Sequence, residues 1–144
     1  MKFKYQELAG KFLPIVPIEL KGKEWISYDA YVDSGASYSL FHADTAKDLN
    51  IKLESGKEDY ISMADRSKIK IYLHKIKVKI ATEEFTATIG FSTQLGIGFN
   101  IIGRLDIFNK FKICFDEKES FIEFHPNNSS PQNPSAAQKS LISQ

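Results

Sequence analysis

The sequence predicts a small all-β domain that closes into a barrel and carries one or two short helices. Three observations lead to this prediction. Apolar residues alternate with polar ones over several short stretches, which is the period of a half-buried strand. Turn-forming residues separate the stretches at short intervals, as they do in barrels built from short strands. Segments with a helical pattern are few and short.

The elements can be placed in chain order from these signals. Pro14 and Pro17 confine the second strand to an edge or a strand start, and the turn signal at residues 21–23 makes the third strand the return of a hairpin. The helix candidates are residues 43–49 and 104–111. The predicted strands are residues 3–8, 13–20, 25–32, 69–73, 76–80, 85–91, 112–115 and 121–124.

The apolar alternation changes phase between residues 69–73 and residues 76–80. Because side chains of a strand alternate strictly between two faces, a phase change moves the apolar set to the other face. The pattern therefore predicts a bulge or a sharp bend at His74 and Lys75.

Composition narrows the class of protein. The chain has 144 residues and a formal net charge of +1, with 42% hydrophobic and 26% charged residues. Nucleic-acid binders usually have a clear basic excess, so we expect no nucleic-acid partner. We also expect no membrane partner, since no apolar run approaches the length of a membrane span. The single Cys114 reads as a small core residue and favours a reducing, cytoplasmic location.

The composition changes sharply near His125. Residues 126–144 are mostly Pro, Asn, Ser and Gln and contain no aromatic residue. Such a segment buries too little apolar surface to offset the entropy of ordering it. We therefore predict a folded domain over residues 1–125 and a disordered polar tail over residues 126–144.

One segment has the pattern of a chemical site. An apolar strand runs into Asp33-Ser34-Gly35-Ala36, and a second apolar strand follows. By itself this is the pattern of an ordinary turn, in which Asp and Ser bond nearby backbone and Gly supplies an unusual dihedral angle. About 70 residues later the chain reads Asn100-Ile101-Ile102-Gly103-Arg104.

Together these two motifs, in this order and at this spacing, resemble the retroviral-type (retropepsin-like) single-domain aspartic proteases. The resemblance covers roughly residues 13–124. It implies an aspartic endopeptidase with Asp33 as the catalytic residue, an active site that forms only in a homodimer, and an extended peptide or protein as substrate. Neither a cofactor nor a metal is expected.

The residues support the dimer separately. The Asp-Ser/Thr-Gly pattern occurs once, so each chain supplies one carboxylate. The chemistry needs two facing carboxylates that share a proton. Since the chain is too short for two such lobes, a symmetric pair of chains would have to bring Asp33 and its mate together.

The resemblance also implies roles for the surrounding residues. Ser34, Gly35 and Ala36 support the active-site loop, while Gly103 and Arg104 are structural. The family's carboxylate partner for Arg104 falls at Ser37, so we expect Arg104 to bond a backbone carbonyl or Asp106 instead. Residues expected to contact substrate are Tyr31, Ser37, Met63, Ala64, Asp65, Phe99 and Ile101.

Two features depart from the retroviral pattern. Residues 59–71 match the flap, the hairpin that covers the substrate, but the predicted tip at residues 63–67 contains no glycine. Retroviral enzymes interleave both termini into a sheet between subunits, and here residues 121–124 are the candidate interface strand. Two other functions remain open: a catalytically silent peptide-binding module on the same fold, and a monomeric β-barrel domain in which Asp33 is only a turn residue.

Overall fold

The computed structural model describes residues 1–96 and 98–127, and most of this part of the chain is β-strand. One α-helix, α1 (Ala43–Asp48), and one 3-10 turn (Leu53–Ser55) are present within it. The strands are β1 Lys2–Lys4, β2 Gln6–Leu8, β3 Lys11–Leu13, β4 Ile15–Lys21, β5 Trp25–Val32, β6 Ser39–His42, β7 Lys57–Ser62, β8 Lys68–Ile80, β9 Glu83–Ser92, β10 Asn100–Ile102, β11 Phe111–Asp116 and β12 Phe121–Pro126. None of the described helices is long and apolar enough to cross a membrane.

Six strands form a closed ring, in the order β4, β5, β10, β6, β9 and β8. The ring closes where β8 returns to β4, with Leu20 opposite Val78 and Glu19 opposite Lys79. Strand β7 lies outside the ring, and among the described strands it pairs only with β8. The prediction of an all-β closed barrel is therefore confirmed.

The hairpin of β4 and β5 agrees most closely with the strands predicted from the sequence. The turn between the strands is closed by the Gly22 amide, which donates to the Glu24 carbonyl at 3.0 Å. The predicted strand at residues 25–32 matches β5, and its partner β4 begins one residue after Pro14. This hairpin leads the chain directly to Asp33.

Strand β8 has no bulge, so that prediction is wrong. Its ladder with β9 runs without interruption from Tyr72 opposite Phe91 to Ile80 opposite Glu83. The phase of burial changes because the strand passes between two apolar clusters on opposite faces of the sheet. Ile71 is buried in the smaller cluster, and Val78 is buried in the main core.

The second predicted helix, at residues 104–111, does not form. Residues 104–110 are a series of turns, and Phe111 already belongs to β11. The Arg104 carbonyl accepts from the amides of Ile107 and Phe108, as in a helical turn. The helix stops there because Asp106 has a left-handed backbone, with φ of +63°.

The chain termini form a separate sheet in the order β1, β12, β11. Strand β12 is therefore paired on both sides within its own chain, so the predicted interface strand at residues 121–124 has no free edge. Cys114 lies exposed on β11 opposite Glu123, which corrects its expected place in the core.

The predicted boundary between the domain and the tail falls inside β12. Pro126 pairs with Phe111, and the Asn127 amide donates to the Lys110 carbonyl at 2.8 Å. The remainder of the predicted tail, residues 128–144, lies outside the described residues.

Two apolar clusters fill the molecule. The main core lies between the barrel, α1 and the terminal sheet, and its largest fully buried side chains include Phe41, Phe91 and Phe124. The second cluster is smaller and lies on the other face of the sheet. Its buried members are Leu40, Ile69, Ile71, Leu95 and Ile101. We call it the site cluster, because the cavity described below opens onto it.

Candidate active site

Two parallel strands position Asp33. Strand β5 ends at Val32, and β10 runs parallel to it with Ile102 opposite Val32. The Asp33 amide donates to the Ile102 carbonyl at 3.0 Å, and the Val32 amide donates to the Pro14 carbonyl at 2.9 Å. Backbone bonds on both sides therefore fix the point at which the side chain of Asp33 leaves the sheet.

The loop that follows turns tightly around the Asp33 carboxylate. The Gly35 amide donates to Asp33 Oδ1 at 2.9 Å, and the Ala36 amide donates to the Asp33 carbonyl at 3.2 Å. A β-carbon on Gly35 would lie 3.2 Å from the same carboxylate oxygen. A glycine here therefore lets the backbone approach the carboxylate closely.

The segment after β10 crosses this loop and holds it in place. The amides of Arg104 and Leu105 donate to the carbonyls of Ala36 and Ser37, both at 2.9 Å. The Gly103 amide donates to Ser39 Oγ at 3.0 Å in a buried position. A β-carbon on Gly103 would overlap the Tyr38 carbonyl and lie 3.0 Å from the Ala36 carbonyl oxygen. The contact between the two motifs therefore requires glycine at position 103.

A cavity of about 600 Å³ lies between this loop and the hairpin of β7 and β8. The predicted site residues that line it are Asp33, Gly35, Ala36, Ser37, Met63, Ala64 and Ile101. Sequence reasoning missed four other lining residues, namely Tyr38, Leu40, Ile61 and Ser62. The only signal for Leu40 and Ile61 was an apolar residue close to the Asp33 motif or to the predicted hairpin tip, and many core residues share that signal.

Six predicted site residues do not line this cavity, and two of them, Gly103 and Arg104, were expected to be structural. Ser34 is exposed beside Asp33, and Asp65 lies at the tip of the hairpin. Tyr31 and Phe99 pack against each other outside the cavity, with ring centroids 5.3 Å apart. The role of Ser34 in supporting the loop stays a prediction, and so do the substrate contacts expected of Asp65, Tyr31 and Phe99.

The hairpin tip forms without glycine. Strand β7 ends at Ser62 and β8 begins at Lys68, and the Met63 amide donates to the Ser67 carbonyl at 2.8 Å. Arg66 takes the left-handed conformation, with φ of +68°, that a glycine would adopt at lower cost. The Asp65 carboxylate accepts from the hydroxyl and the amide of Ser67, and these bonds lower the pKa of Asp65.

A hydrogen bond connects the active-site loop to the base of this hairpin. Tyr38 Oη donates to Asp59 Oδ2 at 2.9 Å. This bond and partial burial raise the pKa of Tyr38. The Tyr60 amide and the Tyr38 hydroxyl lower the pKa of Asp59. The two shifts keep Tyr38 a donor and Asp59 an acceptor over a wide pH range.

Among the described residues, the Arg104 side chain pairs neither with Asp106 nor with a backbone carbonyl, so neither of its two expected partners is found. Asp106 Oδ2 accepts from Thr88 Oγ1 at 2.7 Å, from the Thr88 amide at 2.9 Å and from Lys75 Nζ at 3.3 Å. These contacts, the Thr88 hydroxyl first, lower the pKa of Asp106. The Arg104 side chain is exposed next to Ser37.

Within residues 1–96 and 98–127, no three or more His, Cys, Asp or Glu side chains group in a way that could hold a metal ion. His42, His74 and His125 lie in separate parts of the fold, and His74 Nε2 contacts the Leu53 carbonyl oxygen at 2.9 Å.

Comparison with solved structures gives the same fold. A retropepsin-like aspartic protease from Rickettsia conorii superposes with a TM-score of 0.58 at 16% identity, over 86% of this chain and 90% of that one. The EIAV protease, in complex with the inhibitor HBY-793, superposes with a TM-score of 0.54 at 14% identity, over 72% of this chain and 92% of that one. At these identities the likeness establishes the fold alone.

Comparison of the sequence gives the family. No curated protein matches the chain. The model of the Cauliflower mosaic virus peptidase family, A3, matches residues 14–142, which include both the Asp33 and the Gly103 motifs. The resemblance to retroviral-type aspartic proteases is confirmed by these findings. The chain belongs to the Cauliflower mosaic virus peptidase (A3) family and has a retropepsin-like fold.

Proposed function

We propose that the protein is an aspartic endopeptidase whose active site combines the Asp33 carboxylates of two identical chains. The observation that carries the proposal is the position of Asp33. Its carboxylate lies in the wall of a cavity of about 600 Å³, on a loop that the segment around Gly103 holds by two backbone hydrogen bonds. The peptidase family and the fold support a proteolytic function.

One chain cannot supply the catalytic pair. It contains a single Asp-Ser/Thr-Gly motif, while aspartic catalysis uses two carboxyl groups that share one proton. Ser34 and Gly35 are exposed next to Asp33. A two-fold axis beside this loop would bring the two Asp33 side chains together, and close contact would prevent both from ionising at once.

The mechanism follows from that shared proton. The ionised Asp33 takes a proton from a water held between the carboxyl groups, and the water oxygen attacks the peptide carbonyl carbon. The protonated Asp33 donates a hydrogen bond to the carbonyl oxygen, and a proton then passes to the leaving nitrogen. The titration of such a pair has apparent pKa values that belong to both groups together.

The cavity favours an extended peptide with apolar side chains at the scissile bond. Its walls include the apolar residues Leu40, Ile61, Met63 and Ile101. An extended backbone between the loop and the hairpin can form main-chain hydrogen bonds while alternate side chains enter the pockets. The single cysteine fits a cytoplasmic location, which we retain as part of the proposal.

The test compares Asp33→Asn with the wild type on a mixed peptide library, by mass spectrometry, from acidic to neutral pH. We expect cuts with the wild type and a loss of about 10³-fold or more with Asp33→Asn, because Asn cannot act as a general base. Asp44→Asn, which makes the same change at an exposed position of α1, is the control. Cleavage by Asp33→Asn at the wild-type rate, or no cleavage by a folded and dimeric wild type, contradicts the proposal.

A further inference from the structure

Arg104 lies against the active-site loop, and no Asp or Glu of its own chain pairs with it. Its backbone amide donates to the Ala36 carbonyl at 2.9 Å, while its side chain is exposed. All 18 Asp and Glu residues belong to the described part of the chain, and none of the ion pairs found there includes Arg104. The protein therefore presents a cation beside the loop without a matching acidic side chain.

A second cavity, of about 430 Å³, lies beside this side chain, and we call it the Arg104 cavity. Its lining residues are Ser37, Arg104, Leu105, Asp106 and Asn109. Ser37 also lines the cavity at Asp33. The two cavities therefore adjoin at Ser37, and a peptide that occupies the first can continue into the second.

The side chains of the Arg104 cavity suit a carboxylate. The Arg104 guanidinium and the side-chain amide of Asn109 offer hydrogen-bond donors, and the Ser37 hydroxyl can donate as well. Of the described residues that line this cavity, only Asp106 is acidic, and its carboxylate is already paired with Lys75 Nζ at 3.3 Å. Arg104 is therefore the charge that remains to be matched. A guanidinium matches a carboxylate well, because the two groups can form two parallel hydrogen bonds.

We infer that Arg104 gives the enzyme a preference for substrates with Asp or Glu a few residues from the scissile bond. The inference rests on the peptide-binding part of the proposed function, because it assumes that an extended peptide occupies the cavity at Asp33. Such a peptide advances about 3.3 Å per residue, so the side chains that follow its exit at Ser37 come to the Arg104 cavity.

The symmetry of the proposed dimer extends this inference to both ends of the substrate. The two Arg104 side chains of a two-fold symmetric dimer lie at equal distances from the axis between the Asp33 side chains. We therefore expect acidic residues to be favoured at matching positions on the two sides of the scissile bond.

The test begins with the positions of Asp and Glu in peptides that the wild type cleaves from a mixed library. Two peptides are then made that differ only by Glu or Gln at the most enriched position. We expect the wild type to cleave the Glu peptide with a kcat/KM about fivefold higher, as for one partly exposed ion pair. The difference should appear in KM and not in kcat, because the pair lies away from the reacting atoms.

The variant Arg104→Gln removes the cation, and its ratio of kcat/KM for the Glu and Gln peptides should fall to about one. The control is Lys110→Gln, which removes one positive charge from an exposed position of the same segment that lines neither cavity. The control should keep the wild-type ratio. A cleaved library without acidic enrichment, or the same ratio in Arg104→Gln and the wild type, overturns the inference.

The dissociation constant of the dimer separates substrate recognition from a contact between the two chains. We expect sedimentation equilibrium to give the same constant for Arg104→Gln and the wild type. A weaker dimer in Arg104→Gln, with both peptides cleaved equally less well, would place Arg104 between the chains and overturn the inference.

Binding distinguishes this inference from the proposed function. If the wild type cleaves peptides without an acidic preference, the function stands and the inference fails. If a folded and dimeric wild type cleaves nothing, the library is instead selected for binding. Acidic peptides that bind the wild type preferentially, and lose this preference in Arg104→Gln, would then support the inference while the proposed function fails.

Discussion

The two halves of strand β8 belong to different environments. Ile76, Val78 and Ile80 in the second half are buried in the main core. Ile69 and Ile71 in the first half are buried in the site cluster, against which partly buried residues such as Ile61 and Met63 pack. One strand therefore connects a closed core, which stabilises the fold, to an apolar cluster beside the cavity, which shapes the site. Substitutions in the two halves should affect different properties.

The matched pair Ile80→Ala and Ile71→Ala tests this comparison most strongly, because both side chains are fully buried on the same strand. We expect Ile80→Ala to lower the free energy of unfolding by about 4 kcal/mol, since the main core is closed around it. We expect Ile71→Ala to lower the free energy of unfolding by about 2 kcal/mol. The tip of the hairpin of β7 and β8 and the active-site loop can relax into the cavity that the substitution leaves.

Denaturant unfolding and cleavage kinetics together check this pair. Ile71→Ala should raise KM more than Ile80→Ala, because Ile71 supports the cluster on which the cavity opens. Equal losses of stability combined with equal KM values would show that β8 serves one continuous core.

Asp106 connects two parts of the chain. It lies in the turns that follow Arg104, and its carboxylate accepts hydrogen bonds from the amide and hydroxyl of Thr88 on β9. Asp106→Ala should lower the free energy of unfolding by about 3 kcal/mol, through the lost hydrogen bonds and the strain of alanine at a positive φ. Asp106→Asn should cost about 1 kcal/mol, because Asn tolerates this backbone and keeps an oxygen acceptor.

The pH dependence has a defined sign. The folded protein lowers the pKa of Asp106, so its carboxylate contributes stability above its ordinary pKa of about 4 and loses that contribution as the pH falls through the lowered value. The difference in stability between the wild type and Asp106→Asn should therefore shrink as the pH falls below about 4. A difference that is constant with pH in urea unfolding would contradict this role.

The smallest expected effect concerns the hydrogen bond between Tyr38 and Asp59. This bond lies beside the cavity and not in the main core. Tyr38→Phe should raise KM by about threefold at unchanged kcat, because the hairpin loses one connection to the active-site loop. Tyr60→Phe is the control. Tyr60 follows Asp59 on β7, and its side chain is largely exposed.

The effect of Tyr38→Phe should itself depend on pH. The pKa of Asp59 is lowered, so the bond is present above about pH 4 and is lost as the pH falls through the lowered value. An equal rise of KM in Tyr38→Phe and Tyr60→Phe would show that the bond between Tyr38 and Asp59 is not the cause of the change.

Sequence predicted those parts of the fold that local patterns determine. The hairpin before Asp33 and the helix at α1 depend on turn residues and on alternation, and both were placed within one or two residues. The sequence connects the Asp33 and Gly103 motifs only through a family resemblance and does not predict the contact between them. The structure gives its physical reason, which is the close approach of Gly103 to the Tyr38 carbonyl.

The failures have a common cause, which is that tertiary contacts decided the conformation. The phase change in β8 predicts a bulge if only one face of the strand is buried. The strand is regular because its two halves bury opposite faces, one in each cluster. The bonds from Asp106 to Thr88 stabilise a left-handed residue inside a helical pattern. Strand β12 is paired on both sides because β1 lies along one of its edges. In that ladder Lys4 is opposite Phe121, 117 positions later in the chain, so no local pattern predicts the pairing.

Mixing subunits tests the central claim, that two chains each supply one Asp33. Wild-type and Asp33→Asn chains are mixed in equal amounts, well above the dissociation constant, and allowed to exchange before peptide cleavage is measured at constant total protein. If a dimer needs both carboxylates, random pairing leaves roughly a quarter of the activity of pure wild type. Retention of roughly half would mean that each chain acts alone, and would contradict the account.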